Sequence, residues 1–365
     1  MSEILQCDVA VIGAGTAGLA AERAARKNGA TTLLIDPDFN ETTCALVGCM
    51  PSKLLIAAGR EASHVARSAM FGIETEVVRI DGEAVLERVR RERDRFAKLT
   101  RETFEDITEG IVIKTRARFA GPRKLALSDG RTIDARTIII ATGSAPVLPK
   151  PFAALGDAAV TSDTVFELHD LPRTLAVIGS GAIGLELAQA FANLGVEVSL
   201  FDKGEKMAKV RCPKVHASLR STIERDLDLH LGVDVAAQKI SSGVHLKWDG
   251  AEKGEADFEK VLVAIGRKPQ LEGLDLDKVG IELDDHGVPV HDRATMRCGE
   301  SSIFLAGDAS ADLPLLHEAS HDGAIAGRNA AAFPAPIPVK RNVALSITFT
   351  VSGQNPPHSH DFAIW

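Results

Sequence analysis

The sequence predicts an α/β fold in which one strand, turn, helix and strand unit is built twice, and three observations predict it. In the first, Val11-Ile12-Gly13-Ala14-Gly15-Thr16-Ala17-Gly18 follows an apolar strand-like run, and a second apolar run from Thr32 closes at Asp36. In the second, Val177-Ile178-Gly179-Ser180-Gly181-Ala182-Ile183-Gly184 repeats the pattern and is followed by a helical stretch, Gly195 and an acidic strand end at Asp202. Aligned without gaps, residues 11–36 and 177–202 agree at ten of 26 positions, including all three glycines and the terminal Asp. The third is a pair of cysteines, Cys44 and Cys49, inside Thr43-Cys44-Ala45-Leu46-Val47-Gly48-Cys49-Met50-Pro51-Ser52-Lys53.

Each repeated unit reads as a dinucleotide fingerprint in its proper setting. Gly13 and Gly179 permit a tight turn, and Gly15 and Gly181 let the backbone approach a pyrophosphate. Gly18 and Gly184 allow helix and strand to pack closely, while Asp36 and Asp202 can accept from a ribose hydroxyl. Two Rossmann-like dinucleotide-binding domains follow, and with them two cofactors.

The cysteine pair reads as a redox centre. In a regular helix, residues five apart lie about 140° apart around the axis, with Cα atoms beyond the roughly 7 Å limit for a disulfide. A bond between the two sulfurs therefore requires an irregular turn. Pro51 suits a first helical turn, which puts Cys49 near the positive end of a helix dipole and favours its thiolate.

Composition narrows the function further. A chain of 365 residues is long enough for two or three domains. Its net charge of −8 and the absence of a basic stripe argue against nucleic acid as a partner. The segment from Arg88 to Arg101 alternates basic residues with Glu92, Asp94 and neighbouring acids, and is expected to be an exposed helix with intrahelical pairs. Five cysteines without framework spacing fit a reducing cytosol in which the close pair alone cycles; Cys7, Cys212 and Cys298 are expected to be ordinary thiols. No run approaches the roughly 18 apolar residues of a membrane span, and Met1 to Asp8 leads straight into the first strand. A cytoplasmic protein with no membrane partner is the expectation.

Along the chain, the cysteine loop is expected to open a helix from Pro51 to Ala69, followed by a long helix from Gly82 to Thr108. Strands at Ile111–Phe119, Lys124–Ser128 and Thr132–Ile140 lead to a crossover after Gly143. The expected division is a first nucleotide domain over 1–147, a second over 148–269, a return of the first over 270–335 ending in a helix from Pro314 to Ala332, and a linker with an interface remnant over 336–365. Val343–Thr350 is expected to be a strand, and 351–365 coil.

Two nucleotide sites and a dithiol resemble the flavoprotein disulfide reductases, the class I pyridine nucleotide-disulfide oxidoreductases. The likeness also rests on Ile138–Ser144 (IIIATGS), Ala264–Pro269 (AIGRKP), Ile303–Asp308 (IFLAGD) and Leu316-His317-Glu318-Ala319. Within that family the dihydrolipoyl dehydrogenase branch is the nearest in wording. The resemblance implies FAD in a discontinuous first domain, NAD in the second, and electron flow between dihydrolipoamide, a Cys44–Cys49 disulfide, FAD and NAD.

It also implies residue roles. Cys49 is then the sulfur beside the flavin and pairs with it as a thiolate, and Cys44 is the outer thiol that exchanges with substrate. Lys53 lies by flavin N5 with Glu186 as its partner. Thr43, Thr142, Gly143, Gly307, Asp308 and Ala309 contact the flavin nucleotide, Asp308 through the ribityl chain and Ala309 at the pyrimidine edge. Asp36 serves the FAD adenosine, and Asp202, which repels a 2′-phosphate, favours NAD over NADP. Lys203 and Lys206 stand near enough to weaken that preference. Gly266 and Arg267 shape the return crossover and part of the nicotinamide pocket, and no metal is implied.

The family is homodimeric through an interface domain of on the order of 100 residues that normally follows. A His with a Glu partner from that domain of the other subunit accepts the thiol proton. His358 and His360 are not expected to replace it, and His317 and His321 are expected to be helix residues near the surface. The chain departs from the family pattern at Asn40-Glu41-Thr42, where glycines are common, and at Leu46, where many members have Asn. Two alternatives accompany the leading reading. One is a truncated FAD/NAD-binding fragment with diaphorase-like activity or none; the other is a mercuric reductase-like enzyme, which commonly carries a C-terminal cysteine pair. A soluble transhydrogenase would not need both cysteines.

Overall fold

The computed structural model describes residues 3–39, 42–75, 79–105, 107, 110–341, 343, 345–350 and 362–364. Asn40, Glu41, His358 and His360 lie outside them. The chain forms two compact units: Met1–Thr43, Ala97–Ala145 and Arg267–Ala344 make the first, and Cys44–Phe96, Pro146–Gly266 and Leu345–Trp365 the second.

The sheet of the first unit has the strand order Val112–Lys114, Thr32–Asp36, Ile4–Ile12, Thr132–Ile140, these four being parallel. The last of them is shared along its length. Its first half carries the antiparallel strands Lys124–Leu127 and Ala117–Gly121, and its second half pairs in parallel with Ile303–Leu305. Helices or loops cover both faces, so the strands read as nearly continuous apolar runs. Val9 and Val11 join Leu34, Ile139 and Phe304 in one core, whereas Ala10 and Ile12 join Ile35, Ile138 and Ile140 in the other. The expected single strand Ile111–Phe119 is in fact two. Val112–Lys114 follows Thr32–Asp36 in parallel, and the chain must break at Thr115 and Arg116 before Ala117–Gly121 can run antiparallel to a different partner.

The helix Thr16–Lys27 packs on the closing helix Leu316–Ala332. The approach is close enough that a Cβ on Gly323 would lie 2.1 Å from the Ala17 carbonyl oxygen, and one on Gly327 2.1 Å from that of Ala21. After this helix the proline-rich segment is tied down. The Ile337 N–H donates to Asn329 Oδ1 (2.9 Å), and Arg341 pairs with the buried Glu318 and Asp322 (2.7 and 2.5 Å). Residues up to Ala344 therefore cluster with the first unit.

The second unit is built on an all-parallel sheet in the order Asp228–Leu231, Glu197–Asp202, Thr174–Ile178, Lys260–Val263, Ala159–Thr161. One face packs the helix Ala182–Asn193 through Leu175, Val177, Leu200 and Leu262. The other packs an antiparallel meander, Val233–Ile240, Gly243–Gly250 and Gly254–Phe258, through Ala176, Phe201, Val261 and Val263. The cysteine-bearing segment clusters here rather than with the first unit. Its helix runs Cys49–Ala66, and Gly59 lets it close on Ala182–Asn193: a Cβ at Gly59 would stand 2.9 Å from Ala190 O.

The arginine-rich helix, Gly82–Glu105, is only partly the solvated face expected. Lys98 and Glu102 pair at i,i+4, but Arg93 is 7% exposed and pairs with Glu167 and Asp94. Arg90 donates to the Phe166 and Leu168 carbonyl oxygens (3.2 and 2.6 Å). Two arginines are thus tertiary anchors, reaching carbonyls and an acid that sequence spacing cannot reveal.

Gly323→Val is expected to cost about 3 kcal/mol or more, because the added side chain meets backbone that cannot move away. Thermal unfolding followed by circular dichroism measures it.

Candidate active site

The first fingerprint has the geometry its glycines imply. Gly13 sits at φ 103°, where a Cβ would be 2.4 Å from Ala141 O, and a Cβ at Gly18 would be 1.8 Å from Gly13 O. At Gly15, by contrast, nothing lies within 4 Å of a Cβ, so the backbone is open on that side to a phosphate. Asp36 folds back over this turn, its Oδ2 accepting the Ala14 N–H (3.0 Å) and its Oδ1 those of Asp38 and Phe39 (3.0 and 3.1 Å).

The same unit contributes Thr142, Gly143 and Asp308 from strand ends that lie side by side. The Thr142 Oγ1 is buried without a hydrogen-bond partner, an atom suited to a ligand. Gly143 has φ +70° and Gly307 +68°, Ala309 is fully buried, and Ser144 Oγ donates to Asp308 Oδ2 at 2.8 Å. Arg267 donates from Nε to Ser144 Oγ (2.9 Å) and from a terminal nitrogen to Ser144 O (2.8 Å). Arg267, expected to shape the return crossover and part of the nicotinamide pocket, thus lies on Ser144, beside Asp308. The part that Ser144 plays here is not legible in the IIIATGS run.

In the second unit the fingerprint repeats. Gly179 has φ 108° with a Cβ position 2.5 Å from Ala264 O, Gly184 has one 2.0 Å from Gly179 O, and Gly181 again is open. Asp202 Oδ2 accepts from the Ser180 N–H and hydroxyl (2.5 and 2.7 Å), and Oδ1 from the Gly204 N–H (2.6 Å). Lys203 turns to Asp234 (2.9 Å). Gly266 sits at φ +124° and its carbonyl accepts the Val147 N–H (3.0 Å).

The dithiol also lies in the second unit. Thr43 opens a short helix, Thr43–Leu46, and the next helix begins at Cys49; Val47 and Gly48 form the irregular turn between them. Pro51 falls in the first turn, where its missing N–H leaves no bond unmade. Both cysteines are free thiols here. The Cys44 thiol hydrogen-bonds the Cys49 sulfur, and this bond, with the nearby Lys53 ammonium, pulls Cys49 down to about 6 against burial and the Glu186 charge. Cys44 is driven upward by the same bond and by burial. Proton and charge are thus divided unequally, with Cys49 the thiolate. Cys49 is exposed and Cys44 half-buried.

Behind the pair, Lys53 Nζ stands 2.6 Å from Glu186 Oε2, the carboxylate being 8% exposed and the lysine 36%. Lys53 follows Cys49 by one helical turn, and Glu186 is on the helix opened by the second fingerprint. By comparison, His317 is exposed on its helix, as expected, and stands 3.9 Å from Glu318. Cys7 and Cys298 are pushed up to about 12, mainly by burial, and Cys212 is exposed, away from any partner sulfur. Among the described residues, no cluster of His, Cys, Asp and Glu could hold a metal ion, and no helix is long and apolar enough to cross a membrane.

Residues 7–323 match the family model for pyridine nucleotide-disulphide oxidoreductases. The chain belongs to that family. It is 33% identical over 342 residues to a dihydrolipoyl dehydrogenase of Chlamydia trachomatis, covering 91% of this chain and 71% of the relative. It is 30% identical over 359 residues to a mercuric reductase of Staphylococcus aureus, covering 96% of this chain and 63% of that one. Among solved structures, LpdA of Mycobacterium tuberculosis superposes with a TM-score of 0.80 at 24% identity, covering 94% of this chain and 76% of the other. A flavoprotein disulfide reductase of Escherichia coli, solved as a Cu(II) complex, gives 0.78 at 20% identity, covering 96% and 76%. Both have the same α/β fold. The chain therefore spans about two thirds of the length of these family members.

With its thiol pulled down to about 6, Cys49 is expected to react as a thiolate at neutral pH and to lose that reactivity as pH falls through this value. In the reduced protein, iodoacetamide should modify Cys49 first, located by peptide mass spectrometry. Lys53→Met removes the cation that favours the thiolate and is expected to slow this reaction about fivefold at pH 6.5.

Proposed function

We propose that this chain is a flavin-dependent oxidoreductase that passes electrons between NAD(H) and a dithiol or disulfide substrate, of the dihydrolipoyl dehydrogenase type. The observation that carries the reading is the placement of Cys49 one helical turn before Lys53, whose ammonium is held 2.6 Å from the buried Glu186 carboxylate, with Cys44 across the irregular turn. It is supported by two nucleotide turns of matching geometry in one chain.

The residues of the first unit fit a dinucleotide. Gly13, Gly15 and Gly18 leave an open backbone for its pyrophosphate, Asp36 can take the ribose, and Thr142, Gly143, Gly307, Asp308 and Ala309 offer an unpartnered hydroxyl, small residues and a carboxylate. Bound there, FAD supplies a two-electron carrier between nicotinamide and dithiol. The second turn, Gly179, Gly181, Gly184 and Asp202, takes the nicotinamide nucleotide. Asp202 repels a 2′-phosphate, and the Lys203 charge that would oppose it is turned to Asp234, which supports NAD over NADP.

At the sulfurs the exchange follows thiol chemistry. With Cys44 and Cys49 as a disulfide, one substrate thiolate attacks Cys44, forming a mixed disulfide and releasing Cys49 as the thiolate that Lys53 favours. The second substrate thiol gives up its proton to a base and attacks the substrate sulfur of the mixed disulfide; Cys44 leaves as a thiolate and takes that proton back from the base, and the substrate departs as a cyclic disulfide. The two electrons taken from the substrate then reside in the cysteine pair. Lipoamide as the substrate belongs to the same proposal.

The test is anaerobic reduction by NADH. One equivalent should expose Cys44 and Cys49 to alkylation while the other three cysteines keep their reactivity, and NADH-dependent lipoamide reduction should fall at least about 100-fold in Cys44→Ser or Cys49→Ser. NADH should exceed NADPH at least about tenfold in kcat/KM, a ratio that Asp202→Ala narrows. No NADH-dependent change at either cysteine would contradict the proposal. A second reading, reduction of a soft metal ion held by the pair, is favoured by the staphylococcal match along 96% of the chain. Oxidation of NAD(P)H that depends on Hg(II) and not on lipoamide would select it.

A further inference from the structure

Glu186 divides its two oxygens between different partners. Oε2 accepts from Lys53 Nζ at 2.6 Å, and Oε1 accepts the backbone N–H of Phe349 at 3.0 Å. Phe349 also lays its ring against the same lysine, with Nζ 4.1 Å from the ring centroid. Its neighbours Thr348 and Thr350 are buried, and Phe349 packs against the core of the second unit that holds Leu55, Leu185 and Phe191. One residue thus touches both members of the ion pair, the acid through its main chain and the base through its side chain.

We propose that Phe349 is a positioning residue for the dithiol: its N–H fixes Glu186, and its ring caps Lys53 so that the ammonium stays beside the cysteines. This rests on the reading of Cys44 and Cys49 as the working pair. The aromatic face attracts a cation within about 6 Å of its centroid and shields it from water on that side. Lys53 is more than a third exposed, so without the ring Glu186 alone holds its charge on a flexible four-carbon stem. The titratable and charged groups acting on Cys49 are Cys44, Lys53 and Glu186. Phe349 carries no charge, and its influence can reach the sulfur only through where it keeps these groups.

The experiment replaces Phe349 in the full chain with 3,5-difluoro- and 3,4,5-trifluorophenylalanine, which keep its shape and backbone N–H while draining charge from the ring face. Phe349→Leu is made alongside, as is each change in a Lys53→Met background. The readout is the rate of Cys49 alkylation by iodoacetamide between pH 5 and 8 in the reduced protein. The expected result is a rate at pH 6 that falls in the order Phe, difluoro, trifluoro, Leu, reaching about two- to fivefold, with the series flat in Lys53→Met. Equal rates across the series, with Lys53→Met still slowing Cys49, would overturn the positioning role and leave the dithiol reading intact. A parent protein in which neither Cys44 nor Cys49 reacts faster than Cys212 at pH 6 would remove the dithiol reading and this proposal with it.

Discussion

The ion pair between Lys53 and Glu186 is the constraint on which the rest of the site depends. It joins the helix that begins at Cys49 to the helix that follows the second glycine turn, so one contact ties a reactive sulfur to a nucleotide-binding framework. The pair forms because those helices can approach. Gly59 faces Ala190 one and a half turns further along, and any side chain there would hold the helices apart and draw Lys53 away from Glu186. With the carboxylate nearly buried, the ammonium has a fixed partner, and its charge is felt at Cys49.

The electrostatics of the dithiol follow from that placement. Two equivalent thiols would share one proton evenly, and the negative charge would belong to neither sulfur in particular. Here the turn at Val47 and Gly48 lets Cys44 donate to Cys49, Lys53 adds a cation on the Cys49 side, and the proton settles on Cys44. The helix dipole anticipated from Pro51 acts in the same direction, but the hydrogen bond from Cys44 is the larger cause. The two glycine turns show a parallel economy: Asp36 and Asp202 each accept backbone N–H groups of their own turn, so each acid holds its loop in shape.

Much of this was legible in the sequence because it is local. Glycines at fixed offsets after an apolar strand encode backbone conformations, and those of Gly13, Gly18, Gly179 and Gly184 are the ones found. The Lys53–Glu186 pairing was available only through resemblance, since 133 residues separate the two. What could not be read was tertiary. Nothing in the spacing of Arg90 and Arg93 announces carbonyl acceptors around Phe166, and the split of Ile111–Phe119 reflects two partners running in opposite directions. The meander Val233–Phe258 carries alternation in its sequence, a weaker signal than the glycine turns. Phe349 sits in a run read only as a strand, and its contacts with Lys53 and Glu186 exist because the chain returns to the second unit after 344.

The central claim is that the two sulfurs hold one proton unequally, with Cys49 the thiolate. The most direct measurement is a pH titration of the reduced protein labelled with 13C at cysteine Cβ, following Cys44 and Cys49 separately by NMR. The account requires the Cys49 signal to move with a midpoint near 6 while Cys44 stays a thiol throughout the neutral range. Two signals moving together near the ordinary thiol range, or Cys44 moving first, would contradict it.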